Sequence, residues 1–354
     1  MTANGWDGWS DRWAESPESP ADTLTVDIHA HIKVPKAAAE AMAHFVPEND
    51  PRTLYSSEET NTLNRGYHES VDDRFTDQET RIRDMDVMGV DVQAVALAPP
   101  QYFYWLDAAT GAAVAEMQND SIAEVAGTAP QRLRGIGTLP LAHPEAAVKE
   151  AVRLHDELGL HGVEIGTDVV GTDLDDPKFD PVWEVLADRQ IVVILHPAGF
   201  TEARRFTDYY LVNVIGLPLS STLAVTRMIL GGVFARFPDL RMVVVHGGGY
   251  LPFYPARTDH AFRHRPEMRR HIDRPPSEYL HNLWFDTTVF DPGLLAALVG
   301  SYGAERVLMG TDYPFDMGQG NPIDFVRAAG LTEEETALVI GGNADRLFRF
   351  GLQK

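Results

Sequence analysis

Five side chains in this sequence have the types and positions to build a reacting centre: His29, His31, His196, His246 and Asp312. His29 and His31 stand two residues apart in Asp27-Ile28-His29-Ala30-His31, so on an extended strand both point to one face and can meet one ion. His196 closes the apolar run Ile191–His196 (IVVILH), and Asp312 closes Arg306–Asp312 (RVLMGTD). Three imidazoles and one carboxylate offset part of a divalent charge and leave a position for water. That is the composition of a catalytic zinc-like site rather than of a closed structural one. A divalent ion held there would lower the pKa of bound water towards ~7.

His246 stands apart from this set. Three glycines follow it, Gly247, Gly248 and Gly249, which permit close backbone approach and unusual dihedrals beside a ligand. A neutral imidazole next to such a site is suited to take and return a proton. Asp27 is expected on the face opposite the two histidines, in a supporting role. Glu164 either approaches the metal or serves as a buried partner for an arginine. His68, His155, His260, His264, His271 and His281 are read as exposed or helix-surface residues.

Positioning these groups requires several strands that end on one face. Short β-branched apolar runs recur at Leu24–Ala30, Val90–Ala98, Arg134–Leu141, Gly162–Gly166, Ile191–His196, Arg241–His246, Leu283–Val289 and Arg306–Asp312. Continuous apolar runs suit strands covered on both faces, as in a parallel sheet. Helix-like stretches lie between them, at Asp77–Met88, Pro144–Leu158, Pro181–Asp188 and Leu223–Phe234. Strand and helix alternating eight times predict an α/β fold, a (β/α)8 TIM-type barrel, whose active face is the C-terminal end of the strands. The candidate residues fall at those ends. A doubly wound open sheet would carry a glycine-rich phosphate loop after its first strand, where this chain has His-Ala-His.

Residues 1–22 read as an extended arm with three tryptophans, and 23–354 as one barrel domain. The polar excursion from Val34 to Thr76 is an insertion or lid after the first strand. The segment LTEEETALVIGGNADRLF is expected to form a closing helix, a Gly-Asn break and a last helix on the barrel.

With 52 acidic against 30 basic residues, the 354-residue chain carries a formal charge of −22. Such a surface repels phosphate backbones and anionic lipid, so nucleic-acid and membrane partners are not expected. It does not exclude a small anionic substrate, because a local cluster of arginine and metal can reverse the field in one pocket. There is no cysteine, so metal ligands must be imidazole and carboxylate. The opening MTANGWDGWSDRWAESPESPAD does not resemble a signal peptide, and no later stretch is expected to span a membrane. A cytoplasmic location is expected.

At these residues the chain resembles the amidohydrolase superfamily, in the branch of α-amino-β-carboxymuconate-ε-semialdehyde decarboxylase and related aromatic-acid decarboxylases. The resemblance runs from about Val26 to the C-terminus. It rests on DIHAH, RIRDMDVMGVDVQAV, ILHPAGF, HGGG with Arg257 eleven residues after His246, RPPSEYL, LWFDTTVF and GTDYPF. It implies one zinc ion, with manganese possible for the same donors, on His29, His31, His196 and Asp312, and an acid/base role for His246. It implies that Arg257 holds a substrate carboxylate at or across a homodimer interface. By the same resemblance Arg65 is the counterpart of a second substrate-binding arginine. Tyr209 or Tyr210 stands where the branch has tryptophan, and Phe315 is counted with the substrate-binding residues. With no lysine on the fourth expected strand, a single metal is implied.

The function expected is non-oxidative decarboxylation of a carboxylated aromatic or muconate-type acid. The alternative is hydrolysis of a lactone or amide, or hydration of an unsaturated acid, by the same site. A non-catalytic metal-binding protein is the third reading, and would require the open coordination position to be blocked.

Overall fold

The computed structural model describes residues 23–45, 56–200 and 203–352. Eight parallel strands form one sheet: β1 (Val26–Ile32), β2 (Val92–Leu97), β3 (Leu133–Gly137), β4 (Gly162–Ile165), β7 (Val192–Leu195), β8 (Met242–Val244), β9 (Trp284–Asp286) and β10 (Val307–Leu308). Each lies within or beside one of the eight apolar runs. A short antiparallel hairpin, β5 (Asp168–Val169) with β6 (Thr172–Asp173), follows β4. The sheet closes on itself through backbone bonds from Ile28 to Met309, from His31 to Tyr313 and from Asp312 to His29. This is the expected (β/α)8 barrel.

Two apolar layers hold it. Side chains on the outer face of the strands, such as Val193, Leu195 and Val244, pack with Trp183 and Leu186 of the helix Asp180–Asp188. On the inner face, Ile28, Ala94, Ala96, Ile194 and Val243 pack with Leu347, Phe348 and Phe350 near the C-terminus.

Strict alternation along β1 would put Asp27 on the same face as His29 and His31. The register of β1 against β2 shifts between Asp27 and Ala30. The bulge sends Asp27 to the outer layer, where it accepts from Gln93 and Thr311, and turns both histidines inward. Asp27 is therefore on the opposite face, as expected. Its Oδ1 also accepts the N–H of His29, which fixes the bulge.

Helices α1 (Pro35–Met42), α2 (Glu58–Ser70) and α3 (Asp72–Thr76) lie in the stretch read as an insertion, and α4 (Gln78–Met88) follows. The tryptophan-rich arm lies outside the described residues. Two helix expectations are corrected. The helix expected at 223–234 runs instead over Leu217–Leu230, and Gly232, at φ +76°, separates it from the short helix Val233–Arg236. The Gly-Asn segment is not a break: Leu338–Gly342 makes one wide π-helical turn joining Glu333–Ala337 to Asn343–Phe348. A Cβ on Gly341 would stand 2.0 Å from the carbonyl of Leu24, so the helix can lie against the start of β1 only with glycine there.

Val212–Leu230 is long and apolar enough, by length and composition, to cross a membrane, which sequence reading did not anticipate. Ser220, Ser221, Ala224, Val225, Met228 and Ile229 of this stretch are buried within the fold, as in the core helix of a barrel.

Candidate metal centre and cavity

The inward turn of β1 brings His29 and His31 together with His196, just beyond β7, and Asp312, beyond β10. All four are buried, and their ligand atoms lie within 4.8 Å of one another. Oδ1 of Asp312 is the point of convergence. It lies 3.1 Å from Nε2 of His31, 3.3 Å from Nε2 of His29 and 4.0 Å from Nε2 of His196.

The other side of each imidazole decides which nitrogen is free. Nδ1 of His29 meets Oδ2 of Asp286 at 2.7 Å, Nδ1 of His31 meets the carbonyl of Leu97 at 3.0 Å, and Nδ1 of His196 meets the carbonyl of Pro197 at 2.9 Å. All three partners are oxygens that accept, so each Nδ1 carries the proton and each Nε2 presents a lone pair. Nε2 of His29 and of His196 is buried without a hydrogen-bond partner. Buried lone pairs aimed at one carboxylate oxygen are costly unless a cation meets them. The donors therefore fit a divalent metal, with outer partners that set ring orientation and tautomer.

The electrostatics agree. Burial opposes charge on His29, but the carboxylates of Asp312 and Asp286 outweigh it and raise its pKa well above the usual value. Burial likewise works against an ionised Asp312, yet His29, His196 and His246 hold its pKa well below the ordinary carboxylate range. At His196, burial dominates and pushes the pKa well down, which keeps that imidazole neutral. A centre that draws positive charge to His29 between buried carboxylates and keeps the His196 imidazole neutral is suited to a cation.

His246 lies on the other side of Asp312, its Nε2 3.5 Å from Oδ2. It begins a run of four residues with positive φ, His246 through Gly249. A Cβ on Gly249 would come within 2.3 Å of the carbonyl of Pro218, so the loop's close approach to that helix demands glycine. His246 at φ +56° and Asp312 at φ +59° are both non-glycine residues in the left-handed region, a strain of about 1–3 kcal/mol each that clusters at working sites.

The centre opens into a cavity of about 530 Å³. Phe315 lines it, its ring 5.0 Å from that of His31, and so does Tyr210, whose hydroxyl donates to Asp316 at 3.0 Å. Three expected substrate contacts stand elsewhere. Tyr209 is 89% exposed and points away from the cavity wall. Arg65 is exposed on α2: Thr60, Asn64, Tyr67 and His68 of that helix face the cavity, and Arg65 falls about 100° off their line. Arg257 is exposed on the helix Pro255–His264 and does not line the cavity of its own chain.

Glu164 accepts from the hydroxyl of Tyr102 at 2.8 Å and sits 3.8 Å from Nδ1 of His31, so it approaches the metal centre instead of pairing with arginine. Two residues escaped sequence reading. Asp286 ends β9, and a carboxylate at a strand end inside LWFDTTVF was the available signal. His68, expected among the surface histidines, lines the cavity because it shares a helical face with Thr60 and Asn64.

A family model described as amidohydrolase matches residues 26–350. The chain is 35% identical over 282 residues to a 2-amino-3-carboxymuconate-6-semialdehyde decarboxylase of Dictyostelium discoideum, covering 78% of each. It is 26% identical over 290 residues to a gamma-resorcylate decarboxylase of Polaromonas sp., covering 77% of this chain and 87% of the relative. Among solved structures, the 5-carboxyvanillate decarboxylase LigW of Sphingomonas paucimobilis matches with a TM-score of 0.83 at 28% identity. That match covers 93% of this chain and 99% of the other.

Proposed function

We propose that the chain is a metal-dependent non-oxidative decarboxylase; it belongs to the amidohydrolase family, and its site is read from that premise. The substrate class is a carboxylated aromatic or carboxymuconate-semialdehyde-type acid, in line with the relatives just named. The observation that carries the reading is the buried His-His-His-Asp centre at the floor of a largely apolar cavity, with His246 set apart across Asp312.

His29, His31, His196 and Asp312 would hold the ion; zinc is our assignment, and manganese suits the same donors. When bound, the ion supplies positive charge that stabilises negative charge developing on the substrate. His246 then has one task, to deliver a proton to the carbon that loses its carboxylate. The bond from that carbon to the carboxylate breaks, the electron pair stays on the carbon, and the proton takes the vacated position. Carbon dioxide leaves, and no external oxidant or reductant is needed. Conjugation in the acid spreads the electron pair while it is unprotonated. Phe315 and Tyr210 form walls against which a flat ring can lie.

In this reading Arg257 acts on the cavity of a second copy, in a homodimer. Its exposure on its own chain supports that assignment, since a guanidinium fork committed to a carboxylate must reach one.

The test is a panel of hydroxylated benzoates and muconic acids offered to metal-loaded protein, with carbon dioxide and ring products measured together. One carbon dioxide released per acid consumed is expected. Consumption with a hydrated or hydrolysed product and no carbon dioxide would move the site to the hydrolase or hydratase reading.

A further inference from the structure

We infer that α2 is the specificity wall of this cavity and that Asn64 and His68 bind an uncharged hydroxyl on the far side of a carboxylated arene. The inference rests on the reading that one substrate carboxylate faces the metal centre. It goes beyond that reading by excluding a second carboxylate from this wall.

The wall is built from Ser56, just before α2, and from Thr60, Asn64, Tyr67 and His68. Spacing of three and four residues puts the helical members on one face. All are polar, and none brings a formal charge. Arg65, the cation in this helix that could meet an anion, is turned to solvent.

His68 packs against three aromatic rings: Tyr67 at 6.0 Å, Phe75 at 5.9 Å and Phe315 at 5.9 Å between ring centroids. Its Nδ1 is buried and unpartnered, which leaves Nε2 as the ring's polar edge towards the cavity. Burial, helped by the charge of Lys33, lowers the His68 pKa to about 4, so the ring is neutral near neutral pH and can donate or accept one hydrogen bond. Phe315 stands between His68 and the ring of His31, so a ring seated on Phe315 spans from the metal centre to α2. Asp316 also lines the cavity and would repel a second carboxylate placed there. A hydroxyl suits the wall; a carboxylate on it would be desolvated without a cation from α2.

The experiment is calorimetric binding of benzoate, 3- and 4-hydroxybenzoate, isophthalate and terephthalate to the zinc-loaded protein. Binding does not require turnover, so the result is independent of whether the reaction is decarboxylation. At least one hydroxybenzoate should bind about tenfold tighter than benzoate and tighter than the matching dicarboxylate. In H68F and in N64L, each verified by metal content and circular dichroism, that preference should shrink to within about threefold. A dicarboxylate that binds tightest, or a preference unchanged in both variants, overturns the inference alone. Failure of benzoate itself to bind overturns it together with the metal–carboxylate reading beneath it.

Discussion

Asp286 joins the metal centre to the glycine loop that His246 begins: its Oδ2 lies 2.7 Å from Nδ1 of His29, and its Oδ1 accepts the backbone N–H of Gly247 at 2.7 Å. The hydroxyl of Thr288 donates to Oδ2 at 2.6 Å and holds the carboxylate in place. One buried side chain thus sets the tautomer of a ligand and the position of the residue next to His246.

Replacing Asp286 by asparagine keeps the size and loses the acceptor charge. An amide nitrogen turned to His29 would favour the wrong tautomer, with the proton on Nε2. Metal affinity should fall about 10–100-fold, as for other outer partners of metal-bound imidazoles. Competition with a chromogenic chelator measures it, and an affinity equal to wild type would remove Asp286 from the positioning role.

His246 approaches Asp312 but lies outside the four converging donors. The variant H246A should therefore bind close to one metal ion per chain and lose turnover by about two to four orders of magnitude, the range for a general acid. Elemental analysis beside the carbon dioxide assay separates the roles. Loss of the ion together with activity would make His246 a ligand.

His68 gives the fold a slope against pH. Its pKa is lowered to about 4 by burial and by Lys33, against an ordinary value of 6.5. Between those values the unfolded chain binds the proton and the folded one does not, so stability rises with pH across that window. The difference of about 2.5 in pKa, at about 1.36 kcal/mol each, corresponds to about 3 kcal/mol gained from pH 4 to 6.5. Above 6.5 both states are neutral and the contribution is flat. Urea unfolding across that range should show a shallower slope in H68Q than in wild type. Parallel slopes would mean that the ring titrates in the folded protein as it does in water.

Much of this site was legible because its residues obey one rule, that function gathers at strand C-termini. His29, His31, His196, His246 and Asp312 each follow an apolar run and could be placed without coordinates. Asp286 obeys the same rule, and its place at a strand end is a signal, but two threonines follow it and no second ligand-type residue stands beside it, so that one signal is weaker than the paired histidines of β1. Arg65 illustrates a different limit. Its presence in α2 could be read, but the phase of a helix that packs only along one narrow face could not, and one residue of rotation exchanges Arg65 for Asn64 and His68. The Gly341-Gly342-Asn343 segment misled for a related reason. Glycine ordinarily signals a helix end, whereas here Gly341 allows a continuing helix to touch the backbone of Leu24.

Arg257 offers the sharpest test of assembly. If it serves the cavity of a partner copy, each complete site combines His246 from one chain with Arg257 from the other. The variants H246A and R257A should then be almost inactive alone. In a mixed dimer, the R257A chain contributes an intact His246 cavity and receives the intact Arg257 of the H246A chain. The second cavity of that dimer carries both lesions. Random pairing in equal amounts makes about half the dimers mixed, each with one competent site of two, so about a quarter of wild-type activity should return. Co-expression with two affinity tags, followed by assay of the doubly tagged fraction, isolates the mixed species and should raise the recovery to about half. If Arg257 serves its own chain, every cavity in every combination has a lesion and no activity returns. A protein that sediments as a monomer at assay concentration would rule out the shared cavity by itself.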